Sequence, residues 1–328
     1  MDFNPIIGDA VSLAIGKIVD EWTREVGGME EDRYAMGASP ARRMVKNLGR
    51  KMKSKRGFGR GKLKIAYPPT PEQPDDIAVI IGNGDYGQFG VDIPDVLPAY
   101  ADMDAFAQYA IEGLGVREGN IIFMRDATGA QMVRVFGSER DAHGQLFDWV
   151  RPGRSRVYVY YSGHGAPGRS GSAYLVPSDA DAARIELNGF PLSQLYTNLS
   201  KLPASHVTVV LEACFSGTSQ QGSVIAKSSA IYVRPKIPEV PTNMTVISAG
   251  AADQVASWEE DNSNGLFTKY YLKAVSGEAD TGSYGNHDGH VELAEIKAYL
   301  KDTLTYFARR HYGRDQNPQI VLGGRAMF

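Results

Sequence analysis

The strongest constraint on this chain is a pair of apolar runs that each end in a reactive side chain. The first reads Arg156-Val-Tyr-Val-Tyr-Tyr161 and stops at Ser162-Gly163-His164-Gly165. The second reads His206-Val-Thr-Val-Val-Leu211 and stops at Glu212-Ala213-Cys214-Phe215-Ser216-Gly217. Runs this rich in β-branched and aromatic residues, bounded by Gly and Ser, read as buried strands of a parallel sheet. In such sheets the ligand crevice lies beyond the carboxyl ends of the strands. His164 and Cys214 both fall at that edge, so neighbouring strands would bring them together. A thiol beside an imidazole is the minimum apparatus for thiol nucleophilic catalysis.

The surrounding pattern agrees with such a sheet. From Asp76 onward strands and helices alternate, which predicts a doubly wound α/β domain over residues 76–328. Besides the two runs above, strands are expected at residues 77–81, 121–125 and 244–248. Helices are expected at 100–114, between 131 and 149, and at 192–199, 265–275 and 291–309. Between the Cys214 strand and Met244 lies a weakly patterned segment, Thr218 to Asn243. A loop of that length inside a compact domain is usually functional or disordered.

Residues 1–75 form an extension of different character. Asn4-Pro5 is a good helix start. Ile7, Val11, Ile15, Ile18, Trp22 and Val26 then mark one face of an amphipathic helix over residues 5–26. That face fits a protein partner better than a membrane surface, because its polar side is not especially basic. Residues 41–64 are a basic arm: from Arg42 to Lys64 there are eleven Lys or Arg and no acid. A solvated linker is the favoured reading, and contact with nucleic acid or membrane is left open, since Phe58 is the sole aromatic that accompanies the charge. The proline-rich stretch 68–74 is a stiff linker.

The chain as a whole carries a formal charge of −3 and one cysteine. A lone cysteine excludes an internal disulfide and suits a reducing compartment. With no basic, apolar leader at the start and no apolar run long enough to span a bilayer, the expectation is a cytoplasmic protein.

The SGHG and EACFSG motifs, each after an apolar strand, resemble those of the caspase and metacaspase superfamily of cysteine peptidases. Fifty residues separate His164 from Cys214, a spacing known from caspases. The resemblance runs from about Asp76 to Val321 and implies the caspase-haemoglobinase fold, a doubly wound, mostly parallel sheet flanked by helices. It also implies a cysteine-type endopeptidase with a Cys214–His164 dyad and an oxyanion hole at the backbone N–H groups of Gly165 and Cys214. Thr218 to Asn243 falls where caspase-like chains are cut, which makes Lys227, Arg234 and Lys236 candidates for self-cleavage.

Substrate choice is expected at Glu212. It lies two positions before Cys214, and positions two apart on a strand face the same side. Metacaspase-like relatives carry Asp there, legumain-like ones Glu, and caspases that cut after Asp carry Gln. The resemblance therefore implies protein substrates cut after Arg or Lys, with Asp104 and Ser162 as further walls of the pocket. No cofactor or metal is called for, although calcium dependence, frequent in metacaspases, is not decided by the sequence.

Rival readings are weaker. A catalytically silent scaffold of the same fold is disfavoured because both reactive residues are present. Gly82-Asn-Gly84-Asp-Tyr-Gly87 matches a dinucleotide-binding fingerprint, but no helix is expected to begin directly after it. Asn286-His-Asp288-Gly289 with Glu295 resembles half of a calcium loop, with Tyr284 at a ligand position that it cannot fill. His287 and His290 lack partners for zinc in the sequence and read as exposed loop residues.

Overall fold

A computed structural model describes Phe58 and residues 63–90, 92–225, 235–323 and 325–326. The expected helix 5–26 and most of the basic arm lie outside the described residues, as do Lys227 and Arg234.

The main sheet contains β1 (Ile77–Gly82), β2 (Ile121–Arg125), β3 (Arg156–Ser162), β4 (His206–Glu212), β5 (Met244–Ser248), β6 (Gln319–Leu322) and β7 (Arg325–Ala326). Its spatial order is β7-β6-β5-β4-β3-β1-β2. β2, β1, β3, β4 and β5 are parallel to one another, whereas β6 and β7 add an antiparallel edge. The doubly wound, mostly parallel α/β architecture read from the alternation is the architecture of the molecule.

Both faces of the sheet are buried, so its central strands are apolar on both sides rather than alternating. On one face Val79, Val159, Val209 and Leu211 pack beneath α2 (Gly129–Phe136) and α3 (Leu192–Ser200). On the other, Ile80, Tyr160, Val210 and Ile247 pack beneath α1 (Ala99–Gln108), α4 (Leu266–Val275) and α5 (Leu293–Tyr312). Phe106 of α1 stacks on Tyr160, with ring centroids 4.2 Å apart and planes 18° from parallel. By residue parity, Ser162 and Glu212 fall on this second face, under α1 and α4.

Two expected helices differ in detail. The helix over 100–114 is α in its first part and continues as a π-helical turn at Tyr109–Gly113. The stretch between 131 and 149 is two pieces, α2 and a short turn at Gln145–Trp149. The break is held by Asn198 of α3, which donates to the carbonyls of Phe136 (3.0 Å) and Ser138 (2.9 Å) and so satisfies the end of α2. The antiparallel β6 and β7 are not evident in the sequence, because four- and two-residue strands carry too little pattern to stand out.

The decisive feature for the site is register. Arg156 pairs with His206 and Ser162 with Glu212, a constant offset of fifty residues along the β3–β4 ladder. The fifty-residue spacing of His164 and Cys214 equals that offset, so each stands two residues beyond the same end of two adjacent strands. A cavity of about 830 Å³ lies towards the other end of these strands and is lined by Tyr158, His206, Thr208 and Thr245 among others.

Phe106→Ala tests how firmly α1 is fixed to the sheet. Loss of a ring that is 1% exposed and stacked on Tyr160 is expected to lower the unfolding free energy by about 4 kcal/mol. Urea denaturation followed by circular dichroism measures it.

Candidate active site

His164 is held through both its backbone and its ring. Its backbone N–H donates to the Tyr86 hydroxyl (3.1 Å), and its carbonyl accepts from the Tyr161 hydroxyl (2.8 Å) and from the N–H of Val176 (3.0 Å). Its ring Nε2 lies 2.6 Å from the carbonyl oxygen of Pro94. A carbonyl only accepts, so Nε2 carries the hydrogen and Nδ1 is left with the lone pair. The ring is almost wholly buried, and burial pushes its pKa down to about 4, with the Pro94 carbonyl and the charge of Asp95 opposing. Neither Pro94 nor Tyr86 is legible as a site residue in the sequence, because each acts through a single atom across a sequence separation of seventy or more residues.

The thiol of Cys214 is 8% exposed and donates to the carbonyl of Thr218 (3.2 Å). Burial raises its pKa, and the nearby carboxyl of Glu212 raises it further. At neutral pH the two groups therefore rest as neutral thiol and neutral imidazole. Both line one cavity of about 20 Å³, together with Glu212, Ser219, Gln220 and Trp258. That is room for about one water molecule. The hairpin Thr218–Ser219 and Gly222–Ser223 closes this space. The Gln220 side chain locks the hairpin by accepting from the N–H of Trp258 (3.0 Å).

Gly165 is required by proximity. A Cβ there would lie 2.5 Å from the carbonyl oxygen of Cys214 and 2.8 Å from the Phe215 ring. Gly165 faces Leu175 in an antiparallel pair whose hydrogen bond runs from Val176 N–H to the His164 carbonyl, so the Gly165 N–H points away from that partner strand. The backbone of Gly165 thus passes close to the Cys214 carbonyl.

Glu212 and Ser162 stand paired at the ends of β4 and β3 and meet two further groups that the sequence motifs do not mark. Glu212 Oε2 accepts from the N–H (2.7 Å) and the hydroxyl (2.9 Å) of Thr268 on α4. Glu212 Oε1 is buried with no hydrogen-bond partner. The Ser162 hydroxyl donates to Asp102 Oδ2 (3.1 Å), and Asp102 Oδ1 accepts from the Asn264 side chain and the Gly265 N–H, both at 2.9 Å. The two carboxyls converge on Gly265, where a Cβ would lie 2.3 Å from Glu212 Oε2 and 3.0 Å from Asp102 Oδ2. Burial raises the pKa of Asp102 to about 7. Burial first, and then the charge of Asp102, raises that of Glu212 to about 8.

This corrects the expectation for Asp104. The α1 acid at Ser162 is Asp102, which is fully buried, while Asp104 is partly exposed two positions further along the helix. A helical signal is present in the sequence: Asp102 lies four residues before Phe106 and three after Ala99, on the face that packs against the sheet.

The decoy motifs have structural occupations. The N–H groups of Gly84 and Asp85, which a phosphate would need, donate to Asp126 Oδ1 at 2.9 and 3.0 Å. The next element along the chain is a three-residue 3-10 turn, and α1 starts only at Ala99. In the loop before α5, Asp280 accepts from the N–H groups of His287 and Gly289. Glu295 accepts from those of Asn286 and Glu292. These carboxylates cap their own loop. Among the described residues no cluster of three or more His, Cys, Asp or Glu is placed to hold a metal ion, and His287 and His290 are exposed. No helix of the described residues is long and apolar enough to cross a membrane.

The family model for the caspase domain matches residues 75–323. The chain belongs to the caspase-domain family. This caspase domain is by that membership a cysteine peptidase in the broad sense, of a family that acts on protein substrates. Among solved structures it is similar to caspase-1 from Spodoptera frugiperda, with 11% identity and a TM-score of 0.50, over 81% of this chain and 94% of that one. At that identity the likeness is one of fold. No curated protein matches the chain.

The buried carboxyls give the caspase domain a testable pH dependence of stability. A carboxyl whose pKa is raised on folding binds a proton in the folded state that the unfolded chain has already lost, so stability falls as pH rises through that window. For Asp102 and Glu212 the window runs from the ordinary carboxylate range to about pH 8. His164, lowered to about 4, acts oppositely, but only below its unfolded value of 6.5. Melting temperature should therefore fall between pH 6.5 and 8.5, and Glu212→Gln should remove a large part of that fall in thermal scans.

Proposed function

We propose that this chain is a cysteine endopeptidase with a Cys214–His164 dyad, that it cuts after Arg or Lys, and that it cleaves itself. The observation that carries the proposal is the β3–β4 register, which sets thiol and imidazole at one edge of one cavity. In the reaction, the Cys214 proton passes to His164 Nδ1 as the sulfur attacks the carbonyl carbon of the scissile bond. The oxygen that gains negative charge faces the N–H groups of Gly165 and Cys214. The C–N bond then breaks as His164 returns the proton to the leaving amine. Water, deprotonated by the same imidazole, hydrolyses the thioester. The Pro94 carbonyl supports this sequence: it keeps Nδ1 free to accept and stabilises the imidazolium formed midway.

Preference for a basic residue is supported by the convergence of Glu212 and Asp102. A buried acidic pair with an unpartnered oxygen, Glu212 Oε1, suits an ammonium or guanidinium entering from substrate. Self-cleavage is supported by the closed state of the cavity. With the thiol bonded to Thr218 and about 20 Å³ of space, no peptide enters until the hairpin moves. A transient opening of the hairpin would admit the first cut, and cutting downstream of it, in the segment that carries Lys227, Arg234 and Lys236, would then leave it free. Lys236 is exposed, but its N–H donates to the Gly171 carbonyl at 2.7 Å, so a cut there needs that bridge to open.

Cys214→Ala and His164→Ala should each abolish peptide cleavage with the fold retained, and the double variant should be no worse, since the pair works as a unit. Intact-mass measurement should show fragments ending at Lys227, Arg234 or Lys236 in the wild type and none in Cys214→Ala. In a positional peptide library, Glu212→Gln should reduce cleavage after Arg and Lys by a factor on the order of 100, about 3 kcal/mol, and spare other cleavage. Peptide cleavage retained in Cys214→Ala would overturn the proposal.

A further inference from the structure

The acidic pocket contains too much negative charge for its surroundings. Asp102 and Glu212 are 0% and 4% exposed. Around them stand Tyr160 and Ser162 of β3, Asn264 and Gly265 ahead of α4, Thr268 on α4, the Cys214 thiol beyond β4, and the His164 imidazole, neutral at rest, which lines the same small cavity as Glu212. All of these are neutral donors or neutral at rest. Among the described residues no Lys, Arg or His is ion-paired to either carboxyl or appears among the groups that act on them. Two buried carboxylates that close on the same glycine do not both stay ionised without a cation. The donors available satisfy both Asp102 oxygens and one oxygen of Glu212, which leaves Glu212 Oε1 as the atom without a partner.

We infer that Asp102 and Glu212 act as one proton-sharing unit, with Asp102 a specificity-determining residue, and that the pocket takes up a basic side chain by exchanging it for that proton. The inference rests on the basic-pocket reading above and specifies how that pocket discriminates. Around neutral pH and below, the free pair holds at least one proton and so carries at most one negative charge. When a lysine or arginine side chain enters, the proton leaves the pair for solvent and the incoming cation takes its place. No bond other than the O–H bond is broken, and the buried net charge is the same before and after. A neutral side chain of the same shape displaces no proton and gains nothing from deprotonation. Selectivity for basic substrates therefore grows as protons become scarce, and it is greatest where the unit is already ionised.

The sign follows from the raised carboxyl pKa values, about 7 and about 8. Below that range the pocket is protonated and a cation must pay for removing the proton; above it the cost disappears. The test is the ratio of kcat/KM for a peptide with Arg before the scissile bond to that for the same peptide with citrulline there, measured with the full-length wild-type enzyme from pH 5.5 to 9. Citrulline keeps the shape of arginine without its charge, and titration of the Cys214–His164 pair cancels in the ratio. The ratio is expected to climb by up to tenfold per pH unit below neutrality and to flatten above about pH 8. In Asp102→Asn the climb is expected at lower pH, since Glu212 then ionises without a charged neighbour. The wild-type profile decides by itself if that variant fails to fold. A preference for Arg that is constant across the range overturns proton exchange and leaves the basic pocket standing. A ratio near one at every pH overturns the basic pocket and this inference with it.

Discussion

The structure depends first on the hydrogen-bonded ladder between β3 and β4. Its fifty-residue offset converts two local motifs, far apart in sequence, into neighbours at one sheet edge. A slip of one residue in either strand would send Glu212 or Ser162 to the opposite face. It would also carry His164 or Cys214 away from its partner. The register is enforced by burial on both faces. Val157, Val159 and Tyr161 alternate with Tyr160, and Val207, Val209 and Leu211 alternate with Val210. A shift of β3 by one residue would exchange Tyr160 for a valine or a second tyrosine beneath α1, and a shift of β4 would bring Thr208 and Glu212 to the face now occupied by Val207, Val209 and Leu211.

The second constraint is electrostatic, and it explains why α1 and α4 end where they do. Asp102 lies in the first turn of α1 and Thr268 in the first turn of α4. Both therefore face the carboxyl edge of the sheet while the rest of each helix packs on its apolar face. The Thr268 hydroxyl is shared with Tyr160, at 2.6 Å, whose ring lies under Phe106. The acidic pocket is thus set on core packing rather than on mobile loops, and Gly265 is the small residue that lets the carboxyls approach. The dyad side is built differently. Pro94 comes from an irregular segment, and Thr218 and Gln220 from the short hairpin that lies outside the main sheet. That half of the site is the part able to rearrange.

Legibility in the sequence divides along the same line. The strands, the sheet edge and the neighbourhood of His164 and Cys214 are readable because each strand is a continuous β-branched and aromatic run ended by Gly or Ser, and because the two motifs share one offset. Glu212 is readable from strand parity. The family resemblance points to Asp104, whereas helix periodicity points to Asp102, which shares a face with Phe106. The Pro94 carbonyl, the Thr218 carbonyl and the Asp126 carboxylate that occupies the Gly84 and Asp85 amides are not readable. Backbone atoms have no residue-type signature, and loop conformation decides where they point. The edge strands β6 and β7 are short, and their pairing is set by what they close rather than by their own composition.

In the proposed mechanism one thiol, activated by one imidazole and served by an acidic pocket, performs the chemistry. Labelling by peptidyl chloromethyl ketones, followed by intact-mass measurement and peptide mapping, tests it most directly. A ketone with Arg beside the reactive group is predicted to add once per chain, at Cys214, in the wild type. It should not react at that rate in His164→Ala, nor should its Asp counterpart label the wild type. Equal labelling by the Asp ketone, or addition at a residue other than Cys214, would contradict the account.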